Sequence, residues 1–187
     1  MFTVDKDSTI DGGKPMKNLD ILIEDTKDVL DELNIPYGPI LNVTINYRAK
    51  SRWGRCTKVY NGYKIEISSI LMEDRISWEA AMDTMIHEFL HAYTGRMSHT
   101  GEWKRLAELV NREFPQYHIE RATSAMEKGI STQEIEAQFK YFITCDGCGT
   151  VSKYRKKSKV VTHILRNPKN SGYQCRCGCT KFTVKCI

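Results

Sequence analysis

No stretch of this 187-residue chain approaches the ~18 uninterrupted apolar residues that a membrane-spanning helix needs. The N-terminus, MFTVDKDSTIDGGK, carries acids and lacks the apolar centre of a secretory signal. Membrane insertion and export are therefore not expected, and a reducing intracellular compartment, the cytoplasm, is the default setting. Internal repeats and low-complexity tracts are absent. Acidic residues are nearly missing from the C-terminal part: residues 138–187 hold 11 Lys and Arg against one acid, Asp146, a net of +10, whereas residues 1–137 carry a net of −5. What is present, 41% hydrophobic and 27% charged residues, excludes a disordered tail. An acidic piece beside a strongly basic one predicts two modules with different partners.

Seven cysteines in a reducing compartment need a reading other than disulfides. Five of them fall between 145 and 179, a crowding that points to metal binding.

Residues 1–17 read as a flexible N-terminus punctuated by Gly12, Gly13 and Pro15. From Asn18 the apolar positions Leu22, Ile23, Val29, Leu30 and Leu33 predict an amphipathic helix ended by Pro36 and Gly38. Ile40–Tyr47 and Tyr63–Ser69 alternate and are β-prone, so both read as strands, with Asn61-Gly62 as a turn. Between them, Ser51-Arg-Trp-Gly-Arg-Cys56 reads as a basic, aromatic loop. A long helix is predicted from Ser77 to Tyr93, stopped by Gly95, and a second from Ser98 to Phe114, stopped by Pro115. A weaker third helix is expected within 122–138. From Phe139 the texture changes to short β-prone pieces between cysteines. The expected organisation is a flexible segment 1–17, a domain over 18–138 and a basic ribbon over 139–187.

The first constellation is His87-Glu88-Phe-Leu-His91. Four residues along a helix advance slightly more than one turn, ~6 Å, so both histidines leave one face and can grip one metal ion. Glu88 stands beside them, placed to act on a water rather than on the metal. A catalytic zinc takes three protein ligands and keeps a position open. Gly95 allows a turn that returns His99 to the first helix, and His99 is the third ligand of choice. Glu102 is the runner-up. His118, next to Tyr117, is weaker, and His163 lies in the basic module.

The second constellation begins with Cys145-Asp-Gly-Cys148-Gly149, a zinc knuckle in which two thiolates span one tetrahedral edge and a glycine relieves the turn. Its partner lies in Cys175-Arg-Cys177-Gly-Cys179, where the usual two-residue gap is missing. Cys175 with Cys177 is preferred, because Cys177-Gly178 repeats the Cys148-Gly149 step; Cys179 is the alternative. Cys56 and Cys186 are expected to be free. A module this small has little core, so metal would supply much of its folding free energy. Between the knuckles run Lys153, Tyr154, Arg155, Lys156, Lys157 and Lys159. A basic run with interleaved tyrosines and almost no acids favours phosphate contacts with some base stacking, hence nucleic-acid binding. No base-reading helix is recognisable, so sequence-specific reading is not expected.

Taken together, the His87-Glu88-x-x-His91 helix, the His99-Thr-Gly-Glu-Trp-Lys104 segment, the Arg52-Trp-Gly-Arg-Cys56 loop with the Ile65-Glu-Ile-Ser-Ser69 strand, and the cysteine ribbon resemble the SprT-like metallopeptidases, the family of the Spartan DNA–protein crosslink protease. The resemblance covers about residues 18–187, and the short form looks more like bacterial or phage members. It implies a zincin with His87, His91 and His99 as zinc ligands and Glu88 as general base. It also implies DNA-dependent cleavage of proteins on or crosslinked to DNA, in host cytoplasm if phage-encoded. The irregular second cysteine pair departs from the family's ribbon.

The expected fold is therefore α+β, a small sheet packed on helices followed by a β-rich zinc ribbon. The expected cofactors are two Zn2+ ions, one catalytic and one structural. The expected partners are DNA, bound without sequence specificity, and proteins on it; a monomer is favoured. An extended substrate is expected to add along the 63–69 strand. The competing reading is a non-proteolytic DNA-binding adaptor with a structural metallo-domain.

Overall fold

The computed structural model describes residues 9–11, 14–49 and 52–187. Its chain divides into two compact units, one ending at Ile130 and one spanning Ser131–Ile187. The division falls eight residues before the expected one, because the short helix at 132–136 groups with the ribbon.

The first unit opens with strands β1 (Thr9–Asp11) and β2 (Lys14–Met16), an antiparallel pair. These strands and Lys17 fall within the segment expected to be flexible. Lys17 is buried, its backbone N–H donates to Met72 O, and its ammonium donates to the carbonyls of Glu73 and Ile76 at 2.6 Å each. Residues 1–8, 12 and 13, the remainder of that segment, lie outside the described residues. Helix α1 (Leu19–Glu32) starts where Asn18 accepts from the N–H groups of Asp20 and Ile21, and it buries Leu22, Val29 and Leu30.

A three-stranded sheet follows, from β3 (Ile40–Asn46), β4 (Gly54–Val59) and β5 (Gly62–Ser68), in the order β3-β5-β4. β5 pairs parallel with β3 and antiparallel with β4. Gly54–Cys56 of the expected 51–56 loop are thus strand, while Arg52 and Trp53 precede it and Ser51 lies outside the described residues. The strand's glycine and charges hid the signal, but pairing with β5 satisfies its backbone. The sheet's inner face supplies Ile65 and Ile67, each 1% exposed.

Helix α2 (Ser69–Met72) leads to α3 (Trp78–Thr94). Ser77 caps α3 by accepting from Ala80 N–H, and Gly95 ends it in the left-handed region at φ 66°. α3 is buried on almost every side, through Met82, Met85, Ile86, Phe89 and Leu90. Burying each such side chain is worth ~1.5–3 kcal/mol, which makes α3 a rigid platform for whatever projects from it. Helix α4 (Glu102–Glu113) begins four residues later than expected, leaving 96–101 as a connecting loop, and packs Trp103, Leu106 and Val110 inward.

The second unit holds α5 (Thr132–Glu136), all that forms of the expected 122–138 helix. It then builds a sheet from β6 (Tyr141–Cys145), β7 (Val151–Tyr154) and β8 (Phe182–Cys186), ordered β7-β6-β8 and antiparallel throughout. Helix α6 (Lys159–Arg166), which the sequence reading did not anticipate, packs Val161 and Ile164 on Ile143 as a small core. Among the described residues no helix is long and apolar enough to cross a membrane.

Candidate metal centres and the cleft beside them

α3 projects His87 and His91 from one face, and the loop after Gly95 returns His99 to them. The three Nε2 atoms stand 2.9–3.1 Å from one another. Two of the rings have their tautomers set from behind: Nδ1 of His87 lies 2.9 Å from Glu120 O, and Nδ1 of His91 lies 2.8 Å from Arg96 O. A carbonyl can only accept, so each Nδ1 carries the hydrogen and each Nε2 presents a bare lone pair. Converging lone pairs repel unless a cation sits among them, and this donor set fits a divalent ion held by three imidazoles. Burial, then the neighbouring His91 and His99, pushes His87 down to about 3, and burial also lowers His91 and His99. All three are thus neutral, the form a metal requires.

The floor under the imidazoles is Trp103, 3% exposed, with its ring 4.6–5.5 Å from all three. Its indole N–H donates to His87 O at 3.4 Å. In the sequence Trp103 stands out only as part of the His99-Thr-Gly-Glu-Trp-Lys104 segment. The signal available was its position four residues after His99, in the first turn of α4.

Glu88 is 6% exposed and lines the same 260 Å³ cleft as His87. Burial raises its carboxyl to about 7, against the Cys56 backbone N–H and the Arg52 guanidinium, which hold it down. A buried carboxylate titrating near neutrality beside a trio of metal-ready imidazoles is suited to accept and return a proton. The cleft runs between the start of β4 at Arg52–Gly54, the Asp83–Glu88 stretch of α3, and the segment His118–Thr123. That segment, for which the sequence predicts only a weaker ligand candidate at His118 and a weak helix from 122, holds neither. It is anchored at His118 N–H to Asp83 (2.8 Å), at Glu120 O to His87, and at Thr123 O to the Trp53 indole (3.1 Å). Sequence offers no sign of this, because backbone groups carry most of it. Asp83 also faces Lys128 at 3.3 Å, whose ammonium donates to Ala80 O and is 3% exposed.

Of the other sequence candidates, Glu102 is exposed and engaged by Arg105, and it is not among the clustered ligand atoms. His118 lines the cleft without joining the cluster. His163 faces Tyr173.

The second cluster brings together Cys145, Cys148, Cys175 and Cys177, with sulfurs 3.6 Å apart for Cys145–Cys177 and for Cys148–Cys175. Backbone N–H groups of Cys148 and Gly147 point at the Cys145 thiol, and the Thr150 hydroxyl, then the Thr150 backbone N–H, lowers Cys148 to about 6. Four sulfurs with amide donors suit a tetrahedral zinc site. Cys179 lies outside the group and accepts from Lys181 N–H at 3.4 Å. No cysteine is in a disulfide.

The basic run is divided. Lys153 pairs with Glu136, Arg155 lies over the Phe139 ring at 5.5 Å, and Lys156, Lys157 and Lys159 are exposed. Tyr141, Tyr154 and Tyr173 are half-buried against the Ile143–Val161–Ile164 core, so packing occupies the rings that the sequence reading offered for stacking. In their place α6 turns Lys159, His163 and Arg166, at i, i+4 and i+7, toward solvent. Residues 131–187 hold eleven bases against Glu134, Glu136 and Asp146, a net of +8.

A model of the SprT-like family matches residues 24–123, the span that contains all three clustered histidines and Glu88. No curated protein matches the chain.

Proposed function

Since the chain belongs to the SprT-like family, we propose that it is a zinc-dependent endopeptidase that cleaves proteins bound or crosslinked to DNA. The observation that carries the reading is the set of three Nε2 atoms within 3.1 Å of one another beside a buried carboxyl raised to about 7. Zinc held by His87, His91 and His99 would supply Lewis acidity, acidifying water to ~7 and polarising a carbonyl.

The chain's own residues do the rest. Glu88 takes the proton of the attacking water and returns it to the leaving amine; a carboxyl balanced near neutral pH does both. The carbonyls of Glu120 and Arg96 hold His87 and His91 in the tautomer that binds metal. The substrate adds to β4. Strand β5, expected for this role, is paired on both sides and has no free edge, whereas β4 is one of the sheet's two outer strands and the one that runs beside Glu88. A zinc held by Cys145, Cys148, Cys175 and Cys177 would be structural, since four protein ligands leave no open position. The net +8 of residues 131–187, with Lys156, Lys157, Lys159 and Arg166 exposed, supports phosphate contacts that concentrate DNA-bound substrates.

The test is Glu88→Gln. The variant should keep two zinc ions and DNA binding and lose DNA-stimulated cleavage and self-cleavage. Affinity for DNA should fall steeply with salt. A fully active variant defeats the peptidase reading, and a flat salt response defeats the DNA reading. A chain that binds DNA yet never cleaves is an adaptor.

A further inference from the structure

We infer that Arg121 is a further catalytic residue, whose guanidinium binds the scissile carbonyl oxygen and stabilises the oxyanion formed when water attacks. The inference rests on the peptidase reading above and adds a chemical group to it.

The reaction needs such a group. Water's oxygen bonds to the carbonyl carbon while Glu88 accepts its proton, and the C=O π pair moves onto oxygen as a full negative charge. When that pair returns, the C–N bond breaks and nitrogen takes the proton from Glu88, leaving a carboxylic acid and an amine. A fixed cation facing the oxygen acts only when the charge is there, which is how transition states are favoured over bound substrate.

Three observations converge on Arg121. It lines the cleft together with Glu88 and His87. It is carried by the segment that His87, Trp53 and Asp83 anchor, so its backbone is preorganised rather than free. It also keeps its donors open. Among the described residues no carboxylate lies within ion-pair distance of it, whereas Arg52 faces Glu66 at 3.9 Å and Lys128 is buried against Asp83. Among the described residues, three cations line the cleft, and of these Arg121 alone is exposed without an ion pair. A guanidinium offers a planar fork of N–H groups that suits a developing oxyanion better than a point charge does.

The experiment uses the full zinc-loaded chain, β-casein as substrate and an added DNA oligonucleotide. Arg121→Ala should lower kcat by about 100-fold, the usual loss for one oxyanion donor, with KM within about threefold and zinc content unchanged. Arg121→Lys should recover only part of the rate, and millimolar guanidinium should restore part of the Arg121→Ala rate. Arg112→Ala, which removes an exposed guanidinium on α4 outside the cleft, should stay within about threefold of wild type.

A binding measurement reads the same group without turnover. A peptidyl phosphinate built on the main casein cut, whose tetrahedral anion mimics the intermediate, should bind Arg121→Ala about 100-fold more weakly. The uncut peptide should bind Glu88→Gln with and without Arg121 equally well. Retained activity in Arg121→Ala beside an inactive Glu88→Gln overturns the role of Arg121 alone. Unchanged phosphinate affinity, or a rate loss that tracks zinc loss, overturns it too. An inactive wild-type chain overturns the peptidase reading and this inference with it.

Discussion

Gly54, the first residue of β4, lies so close against Glu88 and Thr84 that no side chain fits between them. A Cβ built on Gly54 comes within 2.8 Å of both Glu88 Cγ and Thr84 Cγ2. The glycine is required here for space and not for backbone freedom. Gly54→Ala must move either the edge strand or the carboxylate, and overpacking of this kind typically costs about 1–3 kcal/mol. Because Glu88 must reach the reacting water, the rate should fall more than tenfold while zinc content holds. Casein cleavage with parallel metal analysis checks this; a variant with wild-type rate shows that the carboxylate's position is not critical.

Glu88 also links stability to pH. Its carboxyl is raised from 4.5 to about 7 in the folded protein, chiefly by burial. Below pH 4.5 both folded and unfolded forms are protonated, and the group contributes no difference. Between 4.5 and about 7 the unfolded form ionises first, so stability falls as pH rises. Above 7 the full penalty, about 3 kcal/mol, is present. In protein stripped of metal, Glu88→Gln should therefore raise the unfolding free energy at pH 8 by an amount of that order. The gain should shrink to nothing by pH 4. Urea denaturation at the two pH values measures both; equal gains at both would place the effect elsewhere than in ionisation.

The Asp83–Lys128 pair clamps the far side of the cleft. Lys128 is 3% exposed, and burial lowers its pKa against the pull of Asp83. Lys128→Met leaves Asp83 without its cation and frees the end of the segment that carries Glu120. Removing one partner of a buried pair costs about 3–5 kcal/mol, so a lowered Tm is expected. Weaker zinc binding should follow, since Glu120 O orients His87. The double variant Asp83→Asn with Lys128→Met should recover part of the loss. Undiminished Tm in the single variant would show that the pair is not holding the segment.

The histidine cluster and the cysteine cluster could be read from sequence because their spacing is local. His87 and His91 are one helical turn apart, and Cys145 and Cys148 span one turn of loop. His99 was within reach because Gly95 fixes the turn that returns it. Arg52–Cys56 misled, since a strand rich in glycine and charge declares itself only through its partner β5. Helix α6 was hidden by its length of eight residues and by flanking basic residues that read as a solvated run. The Glu120 carbonyl, the Asp83–Lys128 pair and the placement of Arg121 depend on contacts 33 to 70 residues apart. Sequence periodicity carries no record of such contacts.

The ribbon's dependence on metal follows from its small core. In Ser131–Ile187 the fully buried apolar side chains are Ile143, Val161 and Ile164, with the Cys145 thiol beside them. So few cannot hold three strands and a helix, and the sulfur cluster must supply the difference. Chelation should broaden or collapse the amide NMR signals of 131–187 while those of α1, β5 and α3 stay dispersed. The two sites should also separate by mutation. Cys145→Ser should lose one of two zinc ions together with the ribbon's structure. His99→Ala should lose the other and leave the ribbon folded. Cys179→Ser should keep both, because its sulfur is engaged by Lys181 outside the cluster. Should Cys179→Ser lose an ion while Cys177→Ser keeps two, the fourth ligand is Cys179. A dispersed 131–187 spectrum after chelation would mean that the ribbon folds on its own contacts.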